Sequence, residues 1–147
     1  MAAARFIGRF EHALDAKGRV ILPSKFRAPF VEGGFLTLFH ERCLALWTSE
    51  EFERQLLTVQ AAAALGQAER NLARVWASGS HEVEVDRQGR MAIPAELRRF
   101  AGLIGDVLIN GAIDRVELWD PSVWEAKVKP AELVLIDDSL EQGVGAL

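Results

Sequence analysis

A nine-residue pattern occurs twice in this chain of 147 residues and restricts what the chain can fold into. "DAKGRVILP" spans residues 15–23 and "DRQGRMAIP" spans residues 86–94, so the copies lie 71 positions apart. Asp, Gly, Arg and Pro coincide in the same register, and a short apolar run follows each arginine. Four identities in register indicate an internal repeat, so we expect two copies of one supersecondary unit.

The repeat extends beyond these nine residues. Residues 11–27 align with residues 82–98 at the same offset, and after one inserted residue 35–38 align with 107–110. A unit of about 45 residues buries too little surface to be stable alone. Two such units in one chain can complete each other's core. The repeat therefore predicts one compact, pseudo-symmetric, β-rich domain resembling a small barrel.

Each copy is expected to form a strand, a tight turn, a strand, a short helix, two more strands and a helix. Residues 82–85 alternate between polar and apolar with a period of two, which is typical of a half-buried strand. Gly18 and Gly89 can supply the positive φ of the turn. Asp15 and Asp86 can accept hydrogen bonds from backbone N–H groups of the same turn. The motif therefore predicts a hairpin whose tip carries the arginine.

The domain prediction divides the chain into four segments. These are repeat 1 (residues 5–59), a connecting helix (60–79), repeat 2 (80–129) and an acidic tail (130–147), with both repeats in one domain. The tail contains four acidic residues and no Lys or Arg, and a solvated, disordered segment is its expected state. Its apolar residues 133–136 could dock on a neighbouring molecule.

Composition limits the class of protein. Half of the residues are hydrophobic and 26% are charged, which is typical of a globular chain, and the net charge is −4. No apolar run approaches the roughly 20 residues that a membrane helix needs. The first residues lack the long apolar core of a secretory signal. We therefore expect a cytoplasmic protein without a membrane partner.

The residues that usually carry catalysis form no recognisable set. Cys43 is the single cysteine, so no internal disulfide is expected, and a buried apolar role suits it best. The three histidines lack metal-ligand spacing. No nucleophile with a base and an orienting group is apparent, nor a phosphate-binding glycine loop. The sequence thus predicts no enzyme activity, metal, cofactor or small-molecule substrate.

Aromatic and basic residues outside the motif have structural interpretations. Four aromatic residues at matching positions of the two copies are predicted to anchor the core rather than stack on bases, namely Trp47, Phe52, Trp119 and Trp124. Four arginines are expected on solvated helix faces or at subunit contacts, namely Arg70, Arg74, Arg98 and Arg99.

The acidic and basic residues of the motif allow two interpretations. Asp15 and Arg19 flank one turn, and Asp86 and Arg90 flank the other, so each pair can form a salt bridge. Such a pair could simply staple the turn, with an exposed ion pair contributing about 0–1 kcal/mol. Alternatively, the carboxylate could hold the guanidinium in a fixed orientation for a ligand.

The second interpretation points to nucleic acid. A planar guanidinium matches phosphate oxygens or the O6/N7 edge of guanine. Pseudo-symmetry would place two oriented arginines on one face, flanked by Lys17 and Arg87. A β-ribbon carrying paired arginines can enter a DNA groove.

These segments resemble the MraZ family of bacterial proteins. The resemblance is carried by the doubled Asp-x-x-Gly-Arg motif, by "GRFEHALDAKGRVILPSKFR", by "SGSHEVEVDRQGRMAIPAELR" and by "RVELWDPSVWE", and it covers roughly residues 5–128. It implies an α+β, mainly β fold: a pseudo-two-fold double-psi or swapped-hairpin barrel of the AbrB type, built from the two repeats, with flanking helices.

The resemblance also implies a function. A family member is expected to be a sequence-specific transcriptional regulator, a repressor of its own division and cell-wall operon. It would act as a ring-like homo-oligomer on repeated promoter boxes of double-stranded DNA, associated with the nucleoid. The family's DNA-contacting arginine corresponds to Arg19, with Arg90 as its counterpart by pseudo-symmetry. Lys17 and Arg87 lie in the same loops.

A protein-binding role remains the alternative. The same type of barrel can serve as a scaffold or as an antitoxin-like partner. The acidic tail and the aromatic-rich helices would then supply the binding surfaces.

Overall fold

A computed structural model describes residues 3–137. The strands are β1 (Arg9–Ala13), β2 (Arg19–Ile21), β3 (Gly34–Leu38), β4 (Leu44–Trp47), β5 (His81–Val83), β6 (Arg90–Ala92), β7 (Asp106–Gly111) and β8 (Val116–Trp119). The helices are α1 (Ser24–Arg27), α2 (Ser49–Ala63), α3 (Gln67–Gly79), α4 (Ala95–Ala101), α5 (Pro121–Lys127) and α6 (Glu132–Ile136). Short 3₁₀ turns cover Ala28–Phe30, His40–Arg42 and Lys129–Ala131.

The strands form two antiparallel sheets. The larger one has six strands in the order β1-β7-β8-β4-β3-β5, and the smaller one is a ribbon of β2 and β6. This confirms the expected α+β class, with antiparallel sheets. The expectation of a mainly β fold is wrong, because more of the described residues lie in the α-helices than in the strands. Because β1 and β5 are both edge strands, the large sheet is open. The expected closed barrel is therefore not formed by strand pairing within residues 3–137.

The strands that flank each repeated turn do not form a ladder with each other, contrary to the predicted hairpin, although an isolated antiparallel bridge joins Val85 to Met91 beside the second turn. β1 pairs with β7 and β2 pairs with β6, while β5 pairs with β3. Each arm of a turn thus pairs with a strand of the other copy. Crossing over allows β1 to pair along five residues and lets Val20 and Met91 face the core, where they are 1% and 0% exposed.

A pseudo-two-fold axis relates the two copies. In the ribbon, Val20 lies opposite Met91, and in the large sheet Ala45 of β4 lies opposite Glu117 of β8. Both pairs consist of repeat-equivalent residues. Antiparallel pairing of a residue with its own equivalent is what a two-fold axis requires.

The predicted alignment of β3 with β7 is wrong by one residue. Phe35 pairs with Trp47, and Leu108 pairs with Trp119, so Phe35 corresponds to Leu108 rather than to Val107. The segment before β7 is therefore two residues longer than its counterpart, not one, and the following turn is one residue shorter. Sequence similarity in these apolar strands is too low to locate the extra residues.

The main core lies between the ribbon and the inner face of the large sheet. Val20 and Met91 pack in one cluster with sheet residues such as Leu36, Leu46 and Ile109. Burying each large apolar side chain contributes about 1.5–3 kcal/mol. The core therefore fixes the ribbon against the sheet and turns the other face of the ribbon towards solvent.

The outer face of the large sheet is covered by helices. Thr48 caps α2 by accepting a hydrogen bond from the Glu51 N–H at 3.2 Å, and Asp120 caps α5 through the Val123 N–H at 3.2 Å. These caps satisfy backbone N–H groups in the first turn and so fix where the two helices begin. None of the helices in the described part of the chain is both long and apolar enough to cross a membrane.

The connecting segment contains a helix break that the sequence analysis missed. Instead of one helix over 60–79, α2 ends at Ala63 and α3 begins at Gln67, with Gly66 in an extended conformation between them. Because of the break, α3 reverses direction and packs beside α2. Trp76 of α3 then stacks on Phe52 of α2, with ring centroids 5.4 Å apart. Packing of these rings therefore overrides the helix propensity of the Ala-rich run.

The start of the tail is helical rather than disordered. Helix α6 continues from the 3₁₀ turn before it, and Glu132 lies 3.6 Å from Arg9 of β1. Leu133, Leu135 and Ile136 are exposed. The expectation of disorder for 138–147 lies outside the described residues.

Candidate nucleic-acid interface

The loop between β1 and β2, here called loop 1, is organised around Asp15. Its Oδ1 accepts hydrogen bonds from the N–H groups of Lys17 and Arg19, each at 2.9 Å. Its Oδ2 accepts a hydrogen bond from Arg19 Nε at 2.8 Å. Gly18 has a φ of 73° and donates its N–H to the Asp15 carbonyl at 3.0 Å. One carboxylate thus fixes both the turn and the arginine.

The loop between β5 and β6, loop 2, repeats this arrangement. Asp86 Oδ1 accepts from the N–H groups of Gln88 and Arg90 at 2.8 and 2.9 Å, and Oδ2 accepts from Arg90 Nε at 2.7 Å. Gly89 has a φ of 83°. The two loops therefore hold their arginines in the same way.

These hydrogen bonds keep both aspartates ionised. The backbone N–H of Arg19 lowers the pKa of Asp15, and the Arg19 side chain and the Lys17 N–H act in the same direction. For Asp86, the backbone N–H of Arg90 lowers the pKa in the same way. Hydrogen bonds to the charged form favour it. Each carboxylate is therefore a fixed negative acceptor at neutral pH.

The ribbon places the two arginines on one face. Arg19 lies opposite Ala92 and Arg90 lies opposite Ile21, so the arginines are diagonal neighbours. Diagonal neighbours of an antiparallel pair have Cα atoms about 7–8 Å apart. Because alternate residues of a strand share a face, Arg19 and Arg90 lie on the side away from the core. Their side chains are 28% and 36% exposed.

Both arginines keep binding capacity. Each uses Nε to bond its aspartate, and neither terminal Nη group bonds an acceptor within residues 3–137. They also line one open recess of about 940 Å³, together with Ala92 and Arg98. Lys17 and Arg87, the other predicted contact residues, are exposed at the loop tips. The structure thus brings all four predicted basic residues to the ribbon and its loops.

A second pair of arginines supports the loops, and the sequence analysis did not assign it this role. Arg27 Nε donates to the Leu22 carbonyl at 2.7 Å, and its guanidinium lies against Gly89 of loop 2. Reciprocally, Arg98 Nε donates to the Ile93 carbonyl at 3.0 Å, with its guanidinium against Gly18 of loop 1.

Backbone bonds complete this exchange. The Leu22 N–H donates to the Gly89 carbonyl at 2.7 Å, and the Ile93 N–H donates to the Gly18 carbonyl at 3.0 Å. Each loop is therefore held by the opposite copy. The expectation that Arg98 lines a solvated helix face is wrong, because its guanidinium packs on a loop. Arg98 lies 71 residues after Arg27, the same offset as the repeated motif, and this equivalence was the sequence signal that the two arginines share a role.

The other residues singled out from the sequence belong to the scaffold. Trp47, Phe52 and Trp119 are buried, and Trp124 is half-buried against Trp119, which confirms their core role. Cys43 is fully buried, and this burial raises the pKa of its thiol. No cluster of three or more His, Cys, Asp or Glu suited to a metal occurs in the described region.

Comparison with known proteins agrees with the organisation of the chain in two copies. The family model described as "MraZ protein, putative antitoxin-like" matches residues 6–75 and again residues 76–139. The chain is 41% identical to the transcriptional regulator MraZ of Kocuria rhizophila over 127 residues, which cover 86% of this chain and 89% of the relative.

Two further relatives extend the comparison. The transcriptional regulator MraZ of Acetivibrio thermocellus is 43% identical over 121 residues, covering 82% of this chain and 85% of the relative. That of Kineococcus radiotolerans is 38% identical over 142 residues, covering 97% and 99%. With the family model matching both halves and these identities extending along nearly the whole sequence, the chain belongs to the MraZ family.

Proposed function

We propose that this chain is a transcriptional regulator that binds double-stranded DNA sequence-specifically through the solvent face of the β2–β6 ribbon. The observation that carries the proposal is the pair of arginines, Arg19 and Arg90, each oriented by its own aspartate on the same exposed face. The relatives are named as transcriptional regulators, which is not an enzyme class.

The residues of each loop would have distinct roles. Arg19 and Arg90 present their Nη groups to guanine edges or to phosphates, since an arginine fork matches both. Lys17 and Arg87 add phosphate contacts from the loop tips. A two-stranded ribbon fits the major groove. Because the aspartates already hold the forks, less conformational entropy is lost when DNA binds.

Assembly would supply the rest of the affinity. The net charge of −4 gives no general attraction to DNA, so binding depends on local contacts and on several linked sites. A ring-like homo-oligomer on repeated promoter boxes would link them. Helices α2 and α3 and the turn between them expose apolar side chains that suit contact between copies, namely Leu57, Leu65, Leu72 and Val75.

The finer features of the fold and biology belong to the same proposal. The exchange of strands between β1–β2 and β5–β6 supports a swapped-hairpin relationship of the AbrB type. Repression of the protein's own division and cell-wall operon, in the cytoplasm and at the nucleoid, is the biological role that we propose.

The test compares four proteins on the DNA upstream of the chain's own gene. Arg19→Ala and Arg90→Ala should each weaken binding about fivefold or more, since one bidentate arginine contact is worth about 1–3 kcal/mol. Lys127→Ala removes an exposed positive charge from α5, outside the ribbon, its loops and the α2–α3 surface, and serves as the charge-matched control. Binding is measured over a range of salt, with native mass spectrometry to verify equal assembly.

Two results would contradict the proposal. One is unchanged affinity and an unchanged salt slope for both loop variants, because a lost phosphate contact reduces that slope by about one. The other is the absence of DNA binding at low salt together with the isolation of a stable protein partner. That result would favour the antitoxin-like alternative, which the description of the family keeps open.

A further inference from the structure

We propose that Ile21 and Ala92 recognise thymine methyl groups and so help to set the DNA sequence that is bound. This inference rests on the proposed function and adds a specificity determinant to it. Thymine recognition would come from the two apolar residues of the same ribbon face that carries the arginines.

The geometry comes from the register of the ribbon. Arg19 faces Ala92 across the strands, and Ile21 faces Arg90, so all four side chains share the solvent face. The residues between them, Val20 and Met91, point into the core. Each arginine therefore has an apolar residue directly across from it.

Ile21 is unusual for its position. Its side chain is 43% exposed, and it is the single large exposed hydrophobic residue that lies in a strand of the described structure. The other exposed hydrophobic residues lie in helices, turns or loops. Because Ile21 faces away from the core, core packing does not account for an apolar side chain there.

The chemistry of the major groove suggests its ligand. Each base pair presents hydrogen-bond donors and acceptors on this edge, and the one apolar group is the C5-methyl of thymine. The arginines are separated by about 7–8 Å, close to two base-pair steps of about 3.4 Å. With arginines on guanines, Ile21 and Ala92 would meet the neighbouring bases. At those bases an apolar side chain gains binding free energy from an apolar contact only when the base is thymine.

The two positions should not contribute equally. Ile21 offers more apolar surface than Ala92, which lines the open recess that Arg19 and Arg90 also line. We therefore expect Ile21 to contribute most of the preference for thymine.

The experiment removes the methyl group from DNA and leaves the hydrogen-bonding edge unchanged. The upstream fragment that the full-length protein protects is prepared with either thymine or deoxyuridine. Loss of one buried methyl-sized group should weaken wild-type binding about fourfold on the deoxyuridine fragment, or more if several sites are occupied. Ile21→Ser should lose most of the difference between the two fragments, because only Ala92 remains to contact a methyl group, and Ile21→Val should retain the difference.

A matched control separates this effect from a general loss of surface hydrophobicity. Ile104 is 93% exposed, outside the ribbon and both loops, and Ile104→Ser should keep the wild-type preference. Equal wild-type affinity for the two fragments would overturn the proposal, and this result needs no variant to fold. An undiminished preference in Ile21→Ser would also overturn it. Failure of the wild-type protein to bind either fragment at low salt would instead refute the proposed function.

Discussion

The two loops and the outer face of the large sheet are the regions in which the copies can best be compared. In the loops, the aspartate–arginine distances are 2.8 and 2.7 Å, and the backbone bonds match as closely. On the outer face, the copies differ. Trp47 Nε1 donates to the Thr37 hydroxyl, whereas Trp119 Nε1 donates to the Glu117 carboxylate, both at 3.0 Å.

The difference follows from what each region contacts. Each loop packs against the opposite copy, through Arg27 on Gly89 and Arg98 on Gly18, so a change in one copy must fit the other. The outer face instead meets unlike neighbours. Trp47 lies in the cluster that contains Phe52 of α2, and the covering helix at the other end of the face is α5.

The polar network of copy 2 has no counterpart in copy 1. Glu117 accepts hydrogen bonds from Trp119 Nε1 and from Arg115 Nε at 2.9 Å, while its equivalent is Ala45. Arg115 also lies 4.5 Å from the centroid of the Phe39 ring. One carboxylate therefore joins the central strands to the aromatic layer beneath the helices.

The first prediction compares the two tryptophan partners. Glu117→Ala should lower the free energy of unfolding by about 3 kcal/mol, because the buried Trp119 N–H loses its acceptor and the partly buried Arg115 guanidinium keeps only Asp114. Thr37→Val should cost about 1–2 kcal/mol, since only the Trp47 N–H loses its partner. Urea denaturation measures both, with Glu125→Ala on exposed α5 as a near-neutral control. Equal costs would show that the networks are energetically alike.

The second prediction tests the interlocked loops. Gly89→Ala should cost about 2–3 kcal/mol, because it combines a positive φ with the loss of a charged hydrogen bond. A Cβ at Gly89 would lie 2.3 Å from Arg27 Cζ and displace the guanidinium from the Leu22 carbonyl. Gly18→Ala should behave similarly against Arg98, where the distance is 2.6 Å.

Gly102 provides the matched control. It has a φ of 68° and nothing within 4 Å of an added Cβ, so Gly102→Ala should cost only about 1 kcal/mol. A double-mutant cycle then isolates the contact. Gly89→Ala in an Arg27→Ala background should cost less than in the wild type, since contacting residues are not additive. Full additivity would contradict the interlock.

Local chemistry explains which parts of the fold were predictable. Asp15, Gly18 and Thr48 act on backbone within four residues, so the turns and the cap follow from the sequence. Strand exchange does not, because whether β2 pairs with β1 or with β6 depends on distant residues. The break at Gly66 likewise depends on the stacking of Trp76 on Phe52.

The candidate site was predictable to the same extent. The repeat identified Arg19 and Arg90 and suggested a shared face, and the ribbon register supplies that geometry. Arg27 and Arg98 were aligned by the same repeat, but their contact with the opposite loop could not be inferred before the exchange was known. Ile21 looked like any strand residue until its exposed face was established.

The third and smallest effect concerns pH. The aspartate pKa values are lowered in the folded loops, so the stabilisation is complete above the pKa of the unfolded chain and is lost as pH falls through the lower folded value. We expect carboxyl ¹³C NMR to show Asp15 and Asp86 titrating below an unfolded aspartate. Arg19→Ala should raise the Asp15 midpoint only partly, because the backbone N–H of residue 19 remains the main donor. The Asp86 midpoint should not move, since its donors are Gln88 and Arg90; a matching shift there would mean that charge, as well as packing, couples the two loops.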